Sequence, residues 1–315
     1  MKSIIPPVDK NLLLTELTKE RFIRDTNYGS NEIYVVTQHD SPNVLKEIGR
    51  LREVSFRASG GGTGLDCDLD SFDTNKICYK QLVVWNPTEK EIVGGYRFIL
   101  IRDAERDEKG NPKLSTSHYF NFSEKFVKEF APYTIELGRS FVQPLYQPSA
   151  GNRKGLFSLD NLWDGLAAVT VDNPDQKYLF GKMTMYKNYN QHARDMLLYF
   201  LDLYFPDIDK LVTPKHPLGY LTDISVPIDI GIKSLFKKEM PYKDAHAILN
   251  QSIRKLGENI PPLFNSYMNI SPSMKTFGTA DNHDFGSVEE TGILVTINDI
   301  YPSKKERHII SYQKR

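Results

Sequence analysis

Hydrophobic positions along the chain change between helical and strand-like spacing, and these changes mark the predicted elements. Leucine and aromatic residues recur at helical intervals in residues 12–23, which predicts an amphipathic N-terminal helix ending before residue 27. Short apolar runs bounded by turn residues predict strands. In the first 130 residues the pattern predicts a strand at 33–36, a helix at 42–54, strands at 81–85 and 92–102, and a helix at 122–130.

The rest of the chain alternates between strand and helix patterns, which predicts an α/β protein. Strands are predicted at 134–142, 178–186 and 293–297, and helices at 157–171, 191–205 and 245–256. An irregular, proline-containing stretch at about 206–242 predicts an insertion. The expected organisation is an N-terminal amphipathic helix in residues 1–30, one large domain in residues 31–300, and a basic tail in residues 301–315.

Composition is that of an ordinary globular protein. Apolar residues make up 40% and charged residues 25% of the 315 residues, and 40 basic residues balance 40 acidic ones. Without a net positive charge, nucleic-acid binding is disfavoured. The only cysteines, Cys67 and Cys78, fit neither a redox pair nor a zinc site, so we expect reduced thiols and no bound metal.

The N-terminal sequence lacks the apolar stretch of a signal peptide, and no apolar run reaches the roughly 18 residues that span a bilayer. We therefore expect a cytoplasmic protein. The basic tail leaves two alternatives open, a solvated segment and a segment that contacts an anionic membrane surface. The second would place the protein peripherally at the inner membrane.

Aspartates are concentrated in residues 66–73, between a helix that carries an arginine and a strand that ends in another. Carboxylates that meet arginines from other elements form polar pockets with displaced pKa values, whereas many acidic runs are simply solvated loops. Composition leaves both interpretations open. The candidate residues are Arg52, Asp68, Asp70, Asp73 and Arg97.

Glu136 and Arg139 are three positions apart in the strand predicted at 134–142, so their side chains point to opposite faces unless a β-bulge intervenes. A bulge would expose backbone N–H groups able to polarise a carbonyl, while Glu136 accepts a proton from an attacking amine. The loop Gln147–Gly155 contains glycine and basic residues and leads into a helix. It is either an anion-binding loop or an ordinary β–α connection.

Signatures of other enzyme classes do not occur in the sequence. There is no GxSxG nucleophile elbow and no HExxH zinc motif. The glycine-rich run at 59–64 neither follows a predicted strand directly nor precedes a Lys-Ser or Lys-Thr pair, so it matches no nucleotide-binding fingerprint.

Eight segments between Leu51 and Ile297 together carry a family resemblance. They are Leu51-Arg52 with Phe56, Asp68-x-Asp70-x-x-Asp73, Val93-Gly94-Gly95-Tyr96-Arg97, Glu136-Leu137-Gly138-Arg139-Ser140-Phe141-Val142, Leu162-Trp163-Asp164-Gly165-Leu166, Leu179-Phe180-Gly181-Lys182-Met183, Pro261-Pro262-Leu263 with Tyr267, and Asp284-Phe285-Gly286. In this order they resemble the GNAT-superfamily N-acyltransferases that make ornithine and glycine lipids, often labelled hemolysin-like, and more distantly the acyl-homoserine-lactone synthases.

The resemblance implies a GNAT-like fold: a mixed, mostly antiparallel sheet with splayed central strands, flanking helices and a helical or irregular C-terminal insertion. It implies transfer of a 3-hydroxylated fatty acyl group to the amine of an amino acid such as glycine or ornithine. No tightly bound cofactor is expected, and the co-substrate is a thioester of acyl carrier protein or of coenzyme A. The partners are therefore acyl carrier protein and the amino-acid acceptor.

The resemblance also implies roles for individual residues. Glu136, Arg139 and Asp70 would be catalytic, and Arg52, Asp68, Asp73 and Arg97 would bind the acceptor. The acyl donor would contact Phe141, Val142, Gln147, Gly151, Arg153, Lys154, Gly155 and Trp163. The pyrophosphate loop of the superfamily is lengthened here, which favours a carrier-protein donor with its single phosphate.

Two alternatives remain at this point. The chain could be a lactone synthase that also binds S-adenosylmethionine, although its extended C-terminal third disfavours this. It could instead be a non-catalytic acyl-binding protein or a membrane-active lytic protein.

Overall fold

The computed structural model describes residues 1–147, 155–222, 231–237 and 239–313. The strands are β1 (Phe22–Asp25), β2 (Glu32–Val36), β3 (Lys80–Asn86), β4 (Glu91–Leu100), β5 (Phe120–Phe122), β6 (Thr134–Val142), β7 (Tyr178–Met185), β8 (Val212–Pro214), β9 (Lys275–Asn282) and β10 (Val288–Thr296). The helices are α1 (Lys10–Glu16), α2 (Pro42–Ala58), α3 (Ser71–Thr74), α4 (Ser158–Asp172), α5 (Gln191–Tyr204), α6 (Ile232–Leu235), α7 (Tyr242–Lys255), α8 (Pro262–Met268) and α9 (Pro302–Lys304).

One large sheet organises the chain. Its eight strands have the order β1-β2-β3-β4-β6-β7-β10-β9, and β5 pairs separately with β8. Neighbouring strands of the large sheet are antiparallel except for β6 and β7, which are parallel and are joined through α4. The expected mixed, mostly antiparallel α/β fold with flanking helices is confirmed.

The pairing of β6 with β7 is short, and this decides where a ligand can enter the sheet. The two strands are paired only over Thr134–Glu136 and Tyr178–Phe180. Beyond these residues β6 stays paired with β4, and β7 with β10. The central strands therefore splay apart, as the resemblance implied.

Helices cover both faces of the sheet with apolar side chains. On one face α4, α5, α7 and α8 bury a large core that includes Leu82, Leu137 and Met183. On the other face α1 and α2 pack over the ends of β2 and β3 near Trp85, and a third cluster surrounds Phe120. The polar cluster in residues 66–73 lies on this second face, next to α2.

The N-terminal prediction is wrong in part. The helix ends at Glu16, and Phe22 belongs to strand β1, paired with Tyr34 of β2. The two rings meet edge to face with their centroids 5.6 Å apart. A cross-strand aromatic contact stabilises a sheet edge more than a short amphipathic helix is stabilised alone. Likewise, the helix expected at 122–130 is strand β5 followed by a π-helical turn at Phe126–Phe130.

The C-terminal segment is not a solvated tail as far as residue 313. After α9 the chain forms a π-helical turn, Lys305–Ile309, that packs against α4. His308 is buried and its Nδ1 lies 2.7 Å from Oδ1 of Asp164, while Arg307 pairs with Asp160. Few apolar residues occur in this segment, so the sequence pattern did not predict the contact. The proposed insertion at 206–242 contains β8 and α6, and residues 223–230 and 238 lie outside the described part.

Candidate active site

The loop after α2 ends in a capped helical turn that fixes two aspartates. Asp70 is the N-cap of α3: Oδ1 accepts hydrogen bonds from the N–H groups of Phe72 (2.9 Å) and Asp73 (3.2 Å). The Asp70 N–H donates to Oδ2 of Asp73 at 3.2 Å. This reciprocal capping box needs a short acceptor at the first position and a second one three residues later. It explains the spacing of Asp70 and Asp73.

Asp73 is the buried centre of a network that reaches three other elements. Arg52, from α2, lies with Nη1 3.2 Å from Asp73 Oδ1 and donates from Nη2 to Gln81 Oε1 at 2.5 Å. The Gln81 amide, on β3, donates to Asp73 Oδ1 at 3.0 Å. Arg52 and Asp73 are both 0% exposed. The predicted acceptor-binding role of Arg52 and Asp73 is therefore not supported, because their polar groups face one another and not a pocket.

Arg97 joins the two aspartates to the sheet. Its Nη1 donates to both carboxylate oxygens of Asp70 at 2.8 Å and to Asp73 Oδ2 at 3.0 Å. The guanidinium also lies over the rings of Phe72 and Tyr79, at 5.8 and 5.2 Å from the centroids. Arg97 is 3% exposed. Its role is to hold Asp70, the most exposed carboxylate of the network, and not to reach the acceptor itself.

Burial and the neighbouring charges shift the pKa values of Asp73 and Asp68 in opposite directions. Burial works to raise the pKa of Asp73, but the adjacent Arg52 and Arg97 guanidinium groups hold it well below its ordinary value. Burial raises the pKa of Asp68, and the charges of Arg139, Arg52 and Arg97 offset only part of this rise. Asp73 is therefore a fixed anion, whereas Asp68 gives up its proton less readily and is the stronger base.

Arg139 lies in a β-bulge of β6. Such a bulge was the condition under which the side chains of Glu136 and Arg139 need not point to opposite faces. Gly138 stands opposite Arg97 and Phe141 opposite Gly95, so Arg139 and Ser140 together face one residue of β4. Arg139 has a φ of 48°, in the left-handed region that side chains rarely adopt. The bulge lies three residues beyond the last β6–β7 pair. It turns the Arg139 side chain into the gap between these strands.

Asp68 and an aromatic ring hold Arg139 in place. The guanidinium lies 4.5 Å over the ring of Phe285, and Nε is 3.1 Å from Asp68 Oδ2. The N–H is not aimed at that oxygen, so among the described residues both atoms lack a hydrogen bond. Asp70 Oδ2 is 3.9 Å from Arg139 Nη2, too far for a hydrogen bond. The site thus contains a buried carboxylate and a guanidinium with unused hydrogen-bonding capacity.

Glu136 is sealed in the interior, which contradicts its predicted role as the base. It is 0% exposed. The Tyr79 hydroxyl donates to Oε2, and Oε1 accepts from Ser115 Oγ at 3.2 Å and from the Thr116 N–H at 3.0 Å. Its position on β6, three residues before Arg139 and on the last pair with β7, places it beneath the splay. The sequence did not show which groups surround Glu136: its partners are Tyr79, Ser115 and Thr116.

A small pocket passes through the splay from one face of the sheet to the other. On the α8 face it is lined by Leu263, Tyr267 and Tyr96, and on the α2 face by Phe56, Phe285, Arg139, Lys182 and Thr184, with Gly138, Ser140 and Gly181 between them. We call it the splay pocket. Burial raises the pKa of Tyr96, and the hydroxyls of Ser140 and Tyr267 beside it offset part of that rise. The neutral hydroxyls of Tyr96 and Tyr267 therefore lie at the α8 end of the splay pocket, and the cations Arg139 and Lys182 lie at its α2 end.

The predicted acyl-donor residues have mixed outcomes. The Gln143 N–H donates to Val93 O at 3.0 Å, so by the alternation of an antiparallel ladder the Phe141 N–H also points to β4 and the Val142 N–H points to the gap. Gln147 Nε2 donates to Val142 O at 2.8 Å, and Gly155 packs on the Tyr146 backbone, where a Cβ would lie 2.1 Å from the carbonyl oxygen. Gln147 and Gly155 therefore contact the backbone of the segment that precedes α4. Gly151, Arg153 and Lys154 lie outside the described residues.

Trp163 lines a second pocket between α4, α8 and the C-terminal segment. Its apolar lining residues include Leu166, Ala167, Leu179, Ile270, Ile300 and Ile309, and its polar ones are Asp160, Thr170, Asn265, Ser266, Asn269, Lys304 and His308. The Trp163 and Tyr267 rings meet edge to face with centroids 5.5 Å apart. Because Tyr267 also lines the splay pocket, this aromatic pair lies between the two pockets. We call the second one the Trp163 pocket.

Lys182 and Glu290 were missed by the sequence analysis. Lys182 lies on β7 and pairs with Glu290 of β10, which is 0% exposed. Glu290 also accepts from Thr184 Oγ1 at 2.8 Å and from Asn282 Nδ2 at 2.9 Å. Lys182 belongs to one of the eight segments that carry the family resemblance, Leu179–Met183, and is the one charged residue of Tyr178–Met185, but neither observation indicated its role. A charged residue at that position needs a partner, but the partner is more than a hundred residues away.

Comparisons with known proteins identify relatives of this chain. A family described as "Acetyltransferase (GNAT) domain" matches residues 51–154. A glycine N(alpha)-acyltransferase of Phocaeicola vulgatus is 54% identical over 315 residues, covering 100% of this chain and 95% of that protein. A glycine N(alpha)-acyltransferase of Bacteroides thetaiotaomicron is 54% identical over 312 residues, covering 99% of this chain and 91% of that protein.

The chain belongs to this family of N-acyltransferases. Among solved structures, the CoA-dependent acyl-homoserine lactone synthase BjaI is similar in two complexes, with MTA and with SAM and isopentyl-CoA. The TM-scores are 0.31 and 0.29 at 18% and 16% identity, over 49% and 53% of this chain and 67% and 72% of BjaI.

As an N-acyltransferase, the protein is an enzyme that forms an amide from an acyl group and an amine. The expectation of an acyltransferase is confirmed. The non-catalytic and lytic alternatives are not supported. In the described ranges no helix has the length and apolar character to cross a bilayer, and no group of three or more potential side-chain ligands is placed to hold a metal ion.

Proposed function

We propose that this N-acyltransferase moves a long-chain, 3-hydroxylated fatty acyl group from the thioester of acyl carrier protein to the amine of glycine. The product is an N-acylglycine, the precursor of an aminolipid. Support for glycine as the acceptor comes from the two relatives described as glycine N(alpha)-acyltransferases. Support for a carrier-protein donor comes from the lengthened loop Gln147–Gly155, since a phosphopantetheine arm presents one phosphate where coenzyme A presents more.

The observation that carries the proposal is the polarity of the splay pocket. Its α8 end is formed by aromatic and aliphatic side chains, and its α2 end by Arg139 and Lys182. A thioester that enters from the α8 side has the neutral hydroxyls of Tyr96 and Tyr267 beside it and the two cations at the far end. The acyl tail would lie along the apolar side chains of the Trp163 pocket, on the other side of the Trp163–Tyr267 pair.

In the proposed reaction the glycine nitrogen attacks the thioester carbonyl carbon, a C–N bond forms and the C–S bond breaks. Backbone N–H groups on the free edge of β6, among them that of Val142, would stabilise the oxyanion. The departing sulfur takes up one proton and the amine releases one, so the overall reaction neither consumes nor produces a proton. Burial raises the pKa of Tyr96 and Tyr267, so their hydroxyls would donate hydrogen bonds to the sulfur without ionising.

Asp68 is the carboxylate best suited to accept the amine proton, through a water molecule. Its Oδ2 has no hydrogen bond among the described residues, and it lies 3.1 Å from the nitrogen of Arg139, which lines the pocket. Burial raises its pKa, which makes it a stronger base than a solvated aspartate. Asp68 and Glu136 are both buried, at 1% and 0% exposure, but both Glu136 oxygens accept hydrogen bonds while Asp68 Oδ2 accepts none among the described residues.

The test is to incubate the purified protein with 3-hydroxyacyl carrier protein, or with the coenzyme A thioester of the same acyl group. Glycine, alanine, serine and ornithine are offered separately, and products are identified by mass spectrometry. We expect N-acylglycine as the main product and faster turnover with the carrier protein. No amide with any acceptor would overturn the proposal. Equal turnover with coenzyme A would overturn the donor, and a preference for ornithine would overturn the acceptor.

A further inference from the structure

Lys182 is a buried cation whose hydrogen-bonding capacity is only partly used. Its side chain is 14% exposed and pairs with Glu290. An ammonium group has three N–H donors. Among the described residues Nζ has one hydrogen-bond acceptor, Oε1 of Glu290, and it also lies 5.2 Å from the centroid of the Tyr119 ring. Donors therefore remain for a group inside the splay pocket, which Lys182 lines.

Glu290 anchors Lys182, and its burial at 0% exposure keeps it from contacting a substrate. Both of its oxygens accept hydrogen bonds, from Lys182 and Asn282 on one and from Thr184 on the other. These side chains come from three neighbouring strands, β7, β9 and β10, which are rigid parts of the sheet. The ammonium group of Lys182 is thus held in position before any ligand binds, which lowers the ordering cost of binding.

Arg139 supplies a second cation to the same pocket from the opposite strand. Lys182 and Arg139 line the same pocket. Burial lowers the pKa of Lys182, the charge of Glu290 offsets part of that fall, and the charge of Arg139 adds to it. The other arginines of the site cannot serve a ligand in this way, because Arg52 and Arg97 are buried against Asp73 and Asp70. Two cations facing one small cavity suit a single carboxylate, which can accept hydrogen bonds from both.

We propose that Lys182 and Arg139 form a clamp for the carboxylate of the amino-acid acceptor, with Glu290 as the residue that positions Lys182. This inference rests on the proposed function and adds which groups recognise the acceptor. The carboxylate would lie at the α2 end of the splay pocket. The amine, one carbon away, would then face the thioester carbonyl in the gap between β6 and β7.

The test compares glycine with glycinamide, which keeps the amine and lacks the negative charge. For the wild type we expect a kcat/KM for glycine far above that for glycinamide. Lys182→Met keeps most of the side-chain volume and removes the ammonium group. We expect it to raise the KM for glycine about 10- to 100-fold, to leave the KM of the acyl donor unchanged, and to abolish most of the preference for glycine.

Two further variants keep the test decisive. Lys182→Met leaves the buried Glu290 without its cation, so the double variant K182M/E290Q, which is neutral at both positions, is measured as well, with melting temperatures for all proteins. Lys187→Met removes an exposed lysine two residues beyond the end of β7 and should behave as wild type. A folded double variant that still prefers glycine over glycinamide overturns the clamp while the proposed function stands. A wild type that forms no N-acylglycine overturns both.

Discussion

The Tyr79 hydroxyl donates a hydrogen bond to Oε2 of Glu136, and both side chains are buried beneath the splay of β6 and β7. The same hydroxyl accepts a hydrogen bond from the Ser115 N–H at 3.0 Å. Glu136 is therefore part of the support under the bulge at Arg139. It tethers β6 to the loop at residues 115–116 and to β3.

Glu136→Gln should leave most of the turnover intact. The amide keeps an oxygen for the Thr116 N–H, and the Tyr79 hydroxyl can accept a hydrogen bond where it now donates one. We expect kcat to fall by less than about tenfold, whereas loss of a general base costs about 10²- to 10⁴-fold. Steady-state kinetics at saturating donor and glycine measure this. A fall of more than a hundredfold with an unchanged melting temperature would restore Glu136 as the base.

Tyr79→Phe should destabilise the fold more than it impairs the chemistry. It removes the donor to a buried carboxylate oxygen and the acceptor for the Ser115 N–H. Leaving a buried polar group unsatisfied costs about 1–3 kcal/mol. Denaturant unfolding should show this loss, and activity per folded molecule should stay close to that of wild type. An unchanged free energy of unfolding would argue that water reaches this site.

Asp73→Asn should lower stability at neutral pH and have less effect in acid. The folded pKa of Asp73 is below its ordinary value of 3.8, so its ionised form stabilises the fold above that pH and this contribution is lost as the pH falls below it. Breaking a buried ion pair from one side costs about 3–5 kcal/mol. The difference in unfolding free energy between the two proteins should therefore stay constant from neutral pH down to 3.8 and shrink as the pH falls below 3.8. A difference that stays constant well below pH 3.8 would contradict the assignment.

Asp68→Asn should show the opposite pH dependence together with a loss of activity. The folded pKa of Asp68 is raised above 3.8, so the unfolded chain releases this proton first and the wild type loses stability as the pH rises from 3.8 through the folded pKa. The variant lacks this loss, so its relative stability should increase over that range. Because Asp68 is the proposed base, its replacement should lower kcat by about 10²- to 10⁴-fold.

The control for Asp68 is Asp66→Asn, two residues earlier and exposed. It removes the same charge from the same loop without touching Arg139, so it should retain wild-type turnover. If Asp68→Asn also retains turnover, another group takes the proton.

Ala167→Phe should shift the preference of the enzyme towards shorter acyl donors. Ala167 is buried on α4 and lines the Trp163 pocket, where a phenyl ring would occupy the space proposed for the end of the acyl chain. A series of donors of increasing chain length measures the shift, with the KM for glycine as the internal control. An unchanged chain-length profile in a folded variant would place the acyl tail elsewhere.

Long periodic elements were predictable from the sequence because their own residues determine them. Helix α2 has an apolar stripe and a proline at its first position, and β6 has a continuous run from Thr134 to Val142. The sequence could not decide whether β6 contains a bulge, because the bulge depends on how β4 and β6 pair. Strand β1 was missed because its pairing with β2 outweighs a helix-like pattern in its own sequence.

The site residues were predictable as a group but not in their roles. Motif order brought together Arg52, Asp68, Asp70, Asp73, Arg97 and Arg139, and the structure joins them in one network. Burial separates those that support the site from those that face the pocket, and burial depends on the whole fold. Lys182 lies in the segment Leu179–Met183, but the sequence did not indicate its role, because that role depends on Glu290 of β10 and on the splay of the strands.

The most direct test of the central claim, acyl transfer at the splay between β6 and β7, is to block the pocket and measure the rate of N-acylglycine formation. Ser140→Trp places a large ring among the residues that line the pocket, and Thr213→Trp places the same ring at an exposed position of β8. We predict that Ser140→Trp loses at least about a hundredfold in rate while it remains folded, and that Thr213→Trp keeps the wild-type rate. Formation of N-acylglycine by folded Ser140→Trp at the wild-type rate would contradict the account.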